Sequence, residues 1–205
     1  MRLAHPLARV AWVAMVAFGT WLGWPGPARA TEGETDVSAT AGVTFLDARG
    51  KGVHVGTGGM IGARRGITDA FDLAAELSLF LQPSIGSTLY GAAGGFHYVV
   101  DVARFRPHLG VLAGVTDLAT TSCDRRPSNL VEVEQTRPPL FSCGDELLLT
   151  GIVPFGLDWA PDAPIRIGFA SRIAVMPFRD DVPDMLLHIT LGGSFTWVFD
   201  PHMAR

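Results

Sequence analysis

Between residues 187 and 199 the chain alternates. Leu187, Ile189, Leu191, Gly193, Phe195, Trp197 and Phe199 fall on one side, and His188, Thr190, Gly192, Ser194 and Thr196 on the other. A period of two residues belongs to a strand, whose successive side chains point to opposite faces. Segments 53–63, 71–82, 89–100, 147–159 and 165–176 read the same way, and 37–45 and 109–115 do so more faintly. Eight strands are expected.

The make-up of each face decides what the strands enclose. In a soluble antiparallel sandwich the apolar face is the core and the second face meets water, so lysine and glutamate should be common there. This chain has one lysine, Lys51, and 18% charged residues against a usual ~25%. Its second faces are built mainly from glycine, alanine, serine and threonine with isolated charges, while the apolar faces of these segments carry no Asp, Glu, Lys or Arg. Small inward side chains suit an eight-stranded barrel, whose interior is just wide enough for side chains to fill. An uncharged outward face suits lipid, where a charge at the midplane costs ~2–4 kcal/mol. The expected fold is an all-β, closed, eight-stranded antiparallel up-and-down transmembrane β-barrel. Its rival, a soluble lipocalin-like barrel, would turn the apolar face inward.

The N-terminal segment stands apart. Arg2 and Arg9 flank the start of an apolar run over 10–21, and Ala28-Arg29-Ala30 has a small-x-small cleavage pattern. Residues 1–30 therefore read as a cleaved secretory signal peptide and 31–205 as the barrel domain. The first cysteine is Cys123, which excludes a lipid anchor at the new N-terminus, and no later apolar run reaches the ~18 residues of a spanning helix. With a periplasmic N-terminus, connections 65–69, 101–106 and 160–163 face the periplasm, and 47–52, 83–86, 118–145 and 178–184 face outward. Short periplasmic turns with longer outer loops are the pattern of outer-membrane barrels, broken here by the short 83–86. Phe71, Phe96, Tyr98, Phe155, Trp159, Trp197 and Phe199 gather toward the periplasmic rim, and Phe45 and Tyr90 toward the outer one, as interfacial girdles do. A net charge of −4 argues against a nucleic-acid partner.

On these strands, and above all on the last one, the chain resembles the small eight-stranded outer-membrane barrels of Gram-negative bacteria, the OmpA/OmpX/OmpW-like class, over essentially all of 31–205. Thr190-Leu191-Gly192-Gly193-Ser194-Phe195-Thr196-Trp197 fits the polar-x-Gly-x-x-hydrophobic-x-hydrophobic insertion signal of such families, carried by Thr190, Gly192, Phe195 and Trp197. Family members usually end on an aromatic residue, whereas here Asp200-Pro201-His202-Met203-Ala204-Arg205 follow Phe199. Gly66-Ile67-Thr68-Asp69 with Phe71 and Leu73, and Arg106-Pro107-His108-Leu109-Gly110, also resemble turn-and-strand openings of these barrels. The resemblance implies insertion by barrel-assembly machinery and residence in the outer membrane, in contact with its lipid. No cofactor is expected.

Cys123 and Cys143 fall in one long connection, outside the membrane in a disulfide-permissive compartment, and read as a bridge, with free thiols as the alternative. The bridge would be worth ~3 kcal/mol in the chain-entropy model, and no cysteine or histidine lies at metal-site spacing from it. The inward charges Arg64, Asp72, Glu76, Asp158, Arg166 and Arg172 must be paired in a narrow interior. They predict a salt-bridge plug with Glu76 and Arg172 near mid-height, or else a charged constriction in a small pore. His188-Ile189-Thr190 has threonine where outer-membrane lipid A deacylases, with a His-x-Ser pair, have serine, and both side chains face the lumen. His54, His97 and His108 form no recognisable metal set. Gly56-Thr57-Gly58-Gly59 lacks the helix that a nucleotide-binding loop needs. The expected function is that of a non-enzymatic outer-membrane barrel with a structural or surface-binding role, any surface ligand meeting connection 118–145. A narrow pore for small solutes or ions and a lipid-modifying enzyme are the alternatives.

Overall fold

A computed structural model describes residues 33–48, 52–102, 104–120, 144–159, 164–177 and 185–199. Residues 1–30, for which the sequence predicts a leader, and Lys51, Cys123 and Cys143 lie outside the described residues. The strands are β1 (Thr35–Ala48), β2 (Val53–Gly66), β3 (Phe71–Gln82), β4 (Ser87–Val99), β5 (Phe105–Thr120), β6 (Gly144–Trp159), β7 (Ile165–Pro177) and β8 (Met185–Phe199). Each pairs antiparallel with the next, and β8 returns to β1, closing an up-and-down barrel.

The pairing sets the dimensions. Stepping across strand partners from Asp36 through Arg64, Ala74, Gly95, Leu112, Ile152, Ala174 and His188, the path returns to β1 at Leu46, ten residues from its start. With ~3.3 Å of rise per residue and ~4.8 Å between strands, that stagger tilts eight strands by about 40° around a cylinder of about 8 Å radius. One circuit climbs roughly 25 Å along the axis. Asp36 thus lies near the proximal end, where β1 begins, and Leu46 near the distal end.

The alternation turns the apolar face outward. Val111 is 69% exposed while its neighbour Leu112 is 2% exposed. Around the proximal rim Phe71 packs on Tyr98 with ring centroids 5.3 Å apart, and Trp197 on Phe199 at 6.4 Å. Outward strand charges among the described side chains, Arg65, Asp47 and Asp117, all lie within three residues of a strand end.

The two faint strands are longer than their alternation suggested. β1 starts at Thr35 rather than Val37, because Asp36 and Thr35 find partners in Arg64 and Arg65. β5 spans Phe105–Thr120 rather than 109–115 and runs straight through Pro107, whose carbonyl accepts from the Val100 N–H at 3.0 Å. Arg106 therefore belongs to a strand and not to the 101–106 turn, which closes at a Val102–Phe105 bridge. A second proline interrupts a ladder: β5–β6 partners stop at Leu109–Phe155 and resume at Leu112–Ile152, and Pro154, which has no N–H to give, sits in the gap. Between β3 and β4 a single 3-10 turn, Pro83–Ile85, ends on Gly86 at φ +58°, a left-handed position that suits glycine.

Candidate functional site

The inward side chains stack in three levels. Glu34, Asp36, Arg64, Asp101, Arg106, Asp158 and Arg166 form the proximal level. Arg64 Nε donates to Asp36 Oδ1 at 2.9 Å and its Nη2 to Asp158 Oδ2 at 3.3 Å. Arg166 reaches Glu34 at 2.5 Å and Asp36 at 3.5 Å, and Arg106 reaches Glu34 at 2.9 Å and Asp101 at 2.5 Å. Glu34 is set in place by backbone bonds to the end of β2, Gly33 N–H to Gly66 at 3.1 Å and Gly66 N–H to Glu34 at 2.9 Å. Gly33, at φ +82°, supplies the bend.

Burial alone would raise the Glu34 carboxyl, but Arg106 and Arg166 outweigh it and hold the group below the ordinary carboxylate range. A depressed carboxylate contributes stability above its unfolded value of ~4.3, lost as pH falls through the lower folded value. Heat-induced unfolding of wild type and Glu34→Gln will therefore differ at pH 7 and converge as pH is lowered below about 4. A gap that stays constant across that range would deny Glu34 this role.

Glycines make room for this level. His97 on β4 lies against Gly110 of β5, His108 on β5 against Gly156 of β6, and Asp158 on β6 against Gly168 of β7; a Cβ at each glycine would come within 2.4–2.7 Å of the facing side chain. The two imidazoles stack at 5.6 Å. His108 Nδ1 stands 3.7 Å from Asp158 Oδ2, and Ser194 Oγ donates to Asp158 Oδ1 at 3.2 Å.

At mid-height Arg172 and Glu76 form a direct ion pair across the lumen. The Arg172 guanidinium also lies 5.3 Å from the centre of the Phe80 ring, and its Nη1 is 3.3 Å from Met60 Sδ. Between this pair and the proximal level is a cavity of about 60 Å³, lined among others by Ser38, Thr40, Met60, His97, His108 and Arg172.

The distal level is apolar. Leu46, Phe80, Leu89, Leu118, Leu148, Met176 and Leu186 are buried in one cluster that continues down to Leu112 and Ile152. Two bonds are embedded in it, Gln82 Nε2 to Thr44 Oγ1 and Thr150 Oγ1 to Thr116 Oγ1, both 2.7 Å.

The six sequence-predicted lumen charges all point inward, but they divide between two levels instead of forming one plug. Arg64, Asp158 and Arg166 meet proximally, Glu76 and Arg172 pair above them, and buried Asp72 leaves its Oδ1 without a partner. Asp36, Glu34, Asp101 and Arg106 join the network unpredicted. The inner faces are also less uniformly small than the composition suggested, since the distal half holds large apolar side chains. Thr190 and Gly192 of the terminal signal line the lumen and Phe195 and Trp197 face outward. His188 packs edge-on against Phe80 at 4.7 Å. Among the described residues no group of three or more His, Cys, Asp or Glu could hold a metal ion.

No protein-family model and no curated protein sequence matches the chain. Solved structures do. Neisserial surface protein A (NspA) superposes with a TM-score of 0.62 at 16% identity, covering 82% of this chain and 100% of that one. Ail, the attachment invasion locus protein of Yersinia pestis, gives 0.46 at 12% identity over 81% of this chain and 99% of that one. The N-terminal β-barrel domain of Pseudomonas aeruginosa OprF gives 0.44 at 15% identity over 82% of this chain and 100% of that one. The likeness is one of fold: the closed eight-stranded barrel of small outer-membrane proteins.

Proposed function

We propose that the protein is a closed, non-enzymatic outer-membrane barrel, a scaffold that holds its distal connections outside the cell. The observation that carries this is the distal half of the lumen, where Leu46, Phe80, Leu89, Leu118, Leu148, Met176 and Leu186 interlock. An aqueous path would have to pass between side chains that are each no more than 3% exposed, and barrels that conduct freely have more strands. The outward belt, uncharged except near the strand ends, supports residence in lipid. In this reading the proximal level faces the periplasm, and contact with a surface ligand falls to connection 121–143, tied by a disulfide between Cys123 and Cys143.

Purified protein reconstituted into a planar bilayer will give no steady conductance, because both the apolar level and the paired charges block ions. A stable ohmic current that changes when Arg172 or Glu76 is replaced would overturn the closed reading in favour of a narrow pore.

A further inference from the structure

We propose that a groove on the outward face of the barrel is a binding site for one phospholipid of the proximal leaflet, with an acyl chain along its floor and the phosphate on Arg65. The site depends on the outward face lying in lipid, as proposed above. Its floor is a row of small residues in direct register: Ala63 faces Ala75, Ala75 faces Gly94, Gly94 faces Ala113, and Ala113 faces Gly151. Two residues distal on their strands stand Leu77 and Val115, and two residues proximal stand Leu73, Phe96 and Val111, all exposed. The hollow over Ala63, Ala75, Gly94 and Ala113, bounded by Ile61 and Leu77, measures about 560 Å³.

The barrel's own packing does not impose these gaps. A Cβ at Gly94 would meet only the Ala74 carbonyl oxygen, at an ordinary 3.5 Å, and at Gly151 it would meet nothing within 4 Å. At the inward Gly95, by contrast, it would collide with the Val111 carbonyl oxygen. Glycine keeps the floor low toward the bilayer, where a larger side chain would fill the hollow.

Length and charge select the occupant. With ~4.8 Å between strands the row is about 19 Å long, and at a tilt of about 40° it climbs about 12 Å from β2 to β6. That rise fits within one leaflet, half of a hydrocarbon core ~30 Å thick. The low end lies beside Arg65, two residues from Ala63 and one from the proximal end of β2, close to the aromatic rim that marks an interface. Arg65 is the one outward cation on a strand among the described side chains, exposed and without a hydrogen bond or ion pair there. Its planar fork matches a phosphate. A second copy of the chain would not answer that charge. Inserted the same way round, it would carry its outward strand carboxylates, Asp47 and Asp117, at the distal rim.

Native mass spectrometry of the folded protein in detergent, titrated with phosphatidylglycerol, will show saturable retention of one lipid per barrel. Arg65→Gln will weaken that retention about tenfold, the loss of one hydrogen bond between charged groups. Gly94→Leu, which projects into the hollow, will abolish it, and Ala75→Leu serves in its place if that variant does not fold. Gly193→Leu, at an equally open outward position on β8, will leave retention unchanged. A shift in gel mobility on heating verifies the fold of each variant. Lipid pickup that never saturates, retention indifferent to both the Arg65 and the floor replacements, or a two-chain mass that the floor replacement splits would each overturn the site. Carbonate washing of membranes tests residence in lipid separately, so a barrel that stays in the washed membrane yet holds no saturable lipid lacks the site alone.

Discussion

Replacing Glu76 with alanine will destabilise the barrel by about 3–5 kcal/mol, the usual loss when one partner of a buried ion pair is removed. Arg172 is 3% exposed and cannot shed its proton, so its charge would remain in the lumen without a carboxylate partner, beside the Phe80 face and the Met60 sulfur. The energy lost is mainly the penalty of the orphaned charge and much less the attraction of the pair. A double replacement, Glu76→Leu with Arg172→Met, removes both charges at similar volume and will recover most of the loss. Urea unfolding of lipid-reconstituted protein, followed by tryptophan fluorescence, measures all three variants. A single-variant loss below about 1 kcal/mol would mean that solvent reaches the guanidinium.

Leu77→Arg will cost ~2–4 kcal/mol, whereas Phe105→Arg will cost ~0–1 kcal/mol, since the penalty for an outward charge falls from the bilayer midplane toward its edges. Both side chains are exposed, Leu77 at 65% and Phe105 at 48%. In water neither change would matter much, and Leu77 would be the easier site. Leu77 sits between Ile61 and Ala92 near half-height, and Phe105 opens β5 at the proximal rim. The same urea titration in vesicles gives the two values. Equal costs at both positions would remove the outward face from the hydrocarbon.

The alternation makes most of the architecture legible in the sequence. It assigned Leu187 outward and His188 inward, gave the strand count, and put Arg64, Asp72, Glu76, Asp158, Arg166 and Arg172 in the lumen, because a face is a matter of parity alone. Partnership is different, since it needs the register. Arg64 belongs with Asp36 and Asp158, 28 and 94 residues away along the chain, and no periodicity carries that distance. Asp36 and Arg106 lie where a strand meets a turn, outside the clear alternation, and Pro107 disguises the opening of β5. The distal apolar level was hidden for another reason. In Leu79-Phe80-Leu81 and Leu147-Leu148-Leu149 the inward residue is as apolar as its neighbours, so a pattern built on contrast loses it. The lumenal glycines were readable as small residues, but not as the spaces His97, His108 and Asp158 need.

Those same runs carry a cost that the finished barrel conceals. A strand segment apolar on one side is safe once that side meets lipid, but one apolar on both sides has no face to show water while the chain is in transit. Leu79-Phe80-Leu81, Leu147-Leu148-Leu149 and Leu186-Leu187 are uncharged, free of proline and suited to sticking to copies of themselves. All three lie in the distal halves of their strands, toward the hairpin tips. The unfolded polypeptide is thus adhesive on both sides of its hairpin tips, and it is there that closing the barrel removes the most self-association risk.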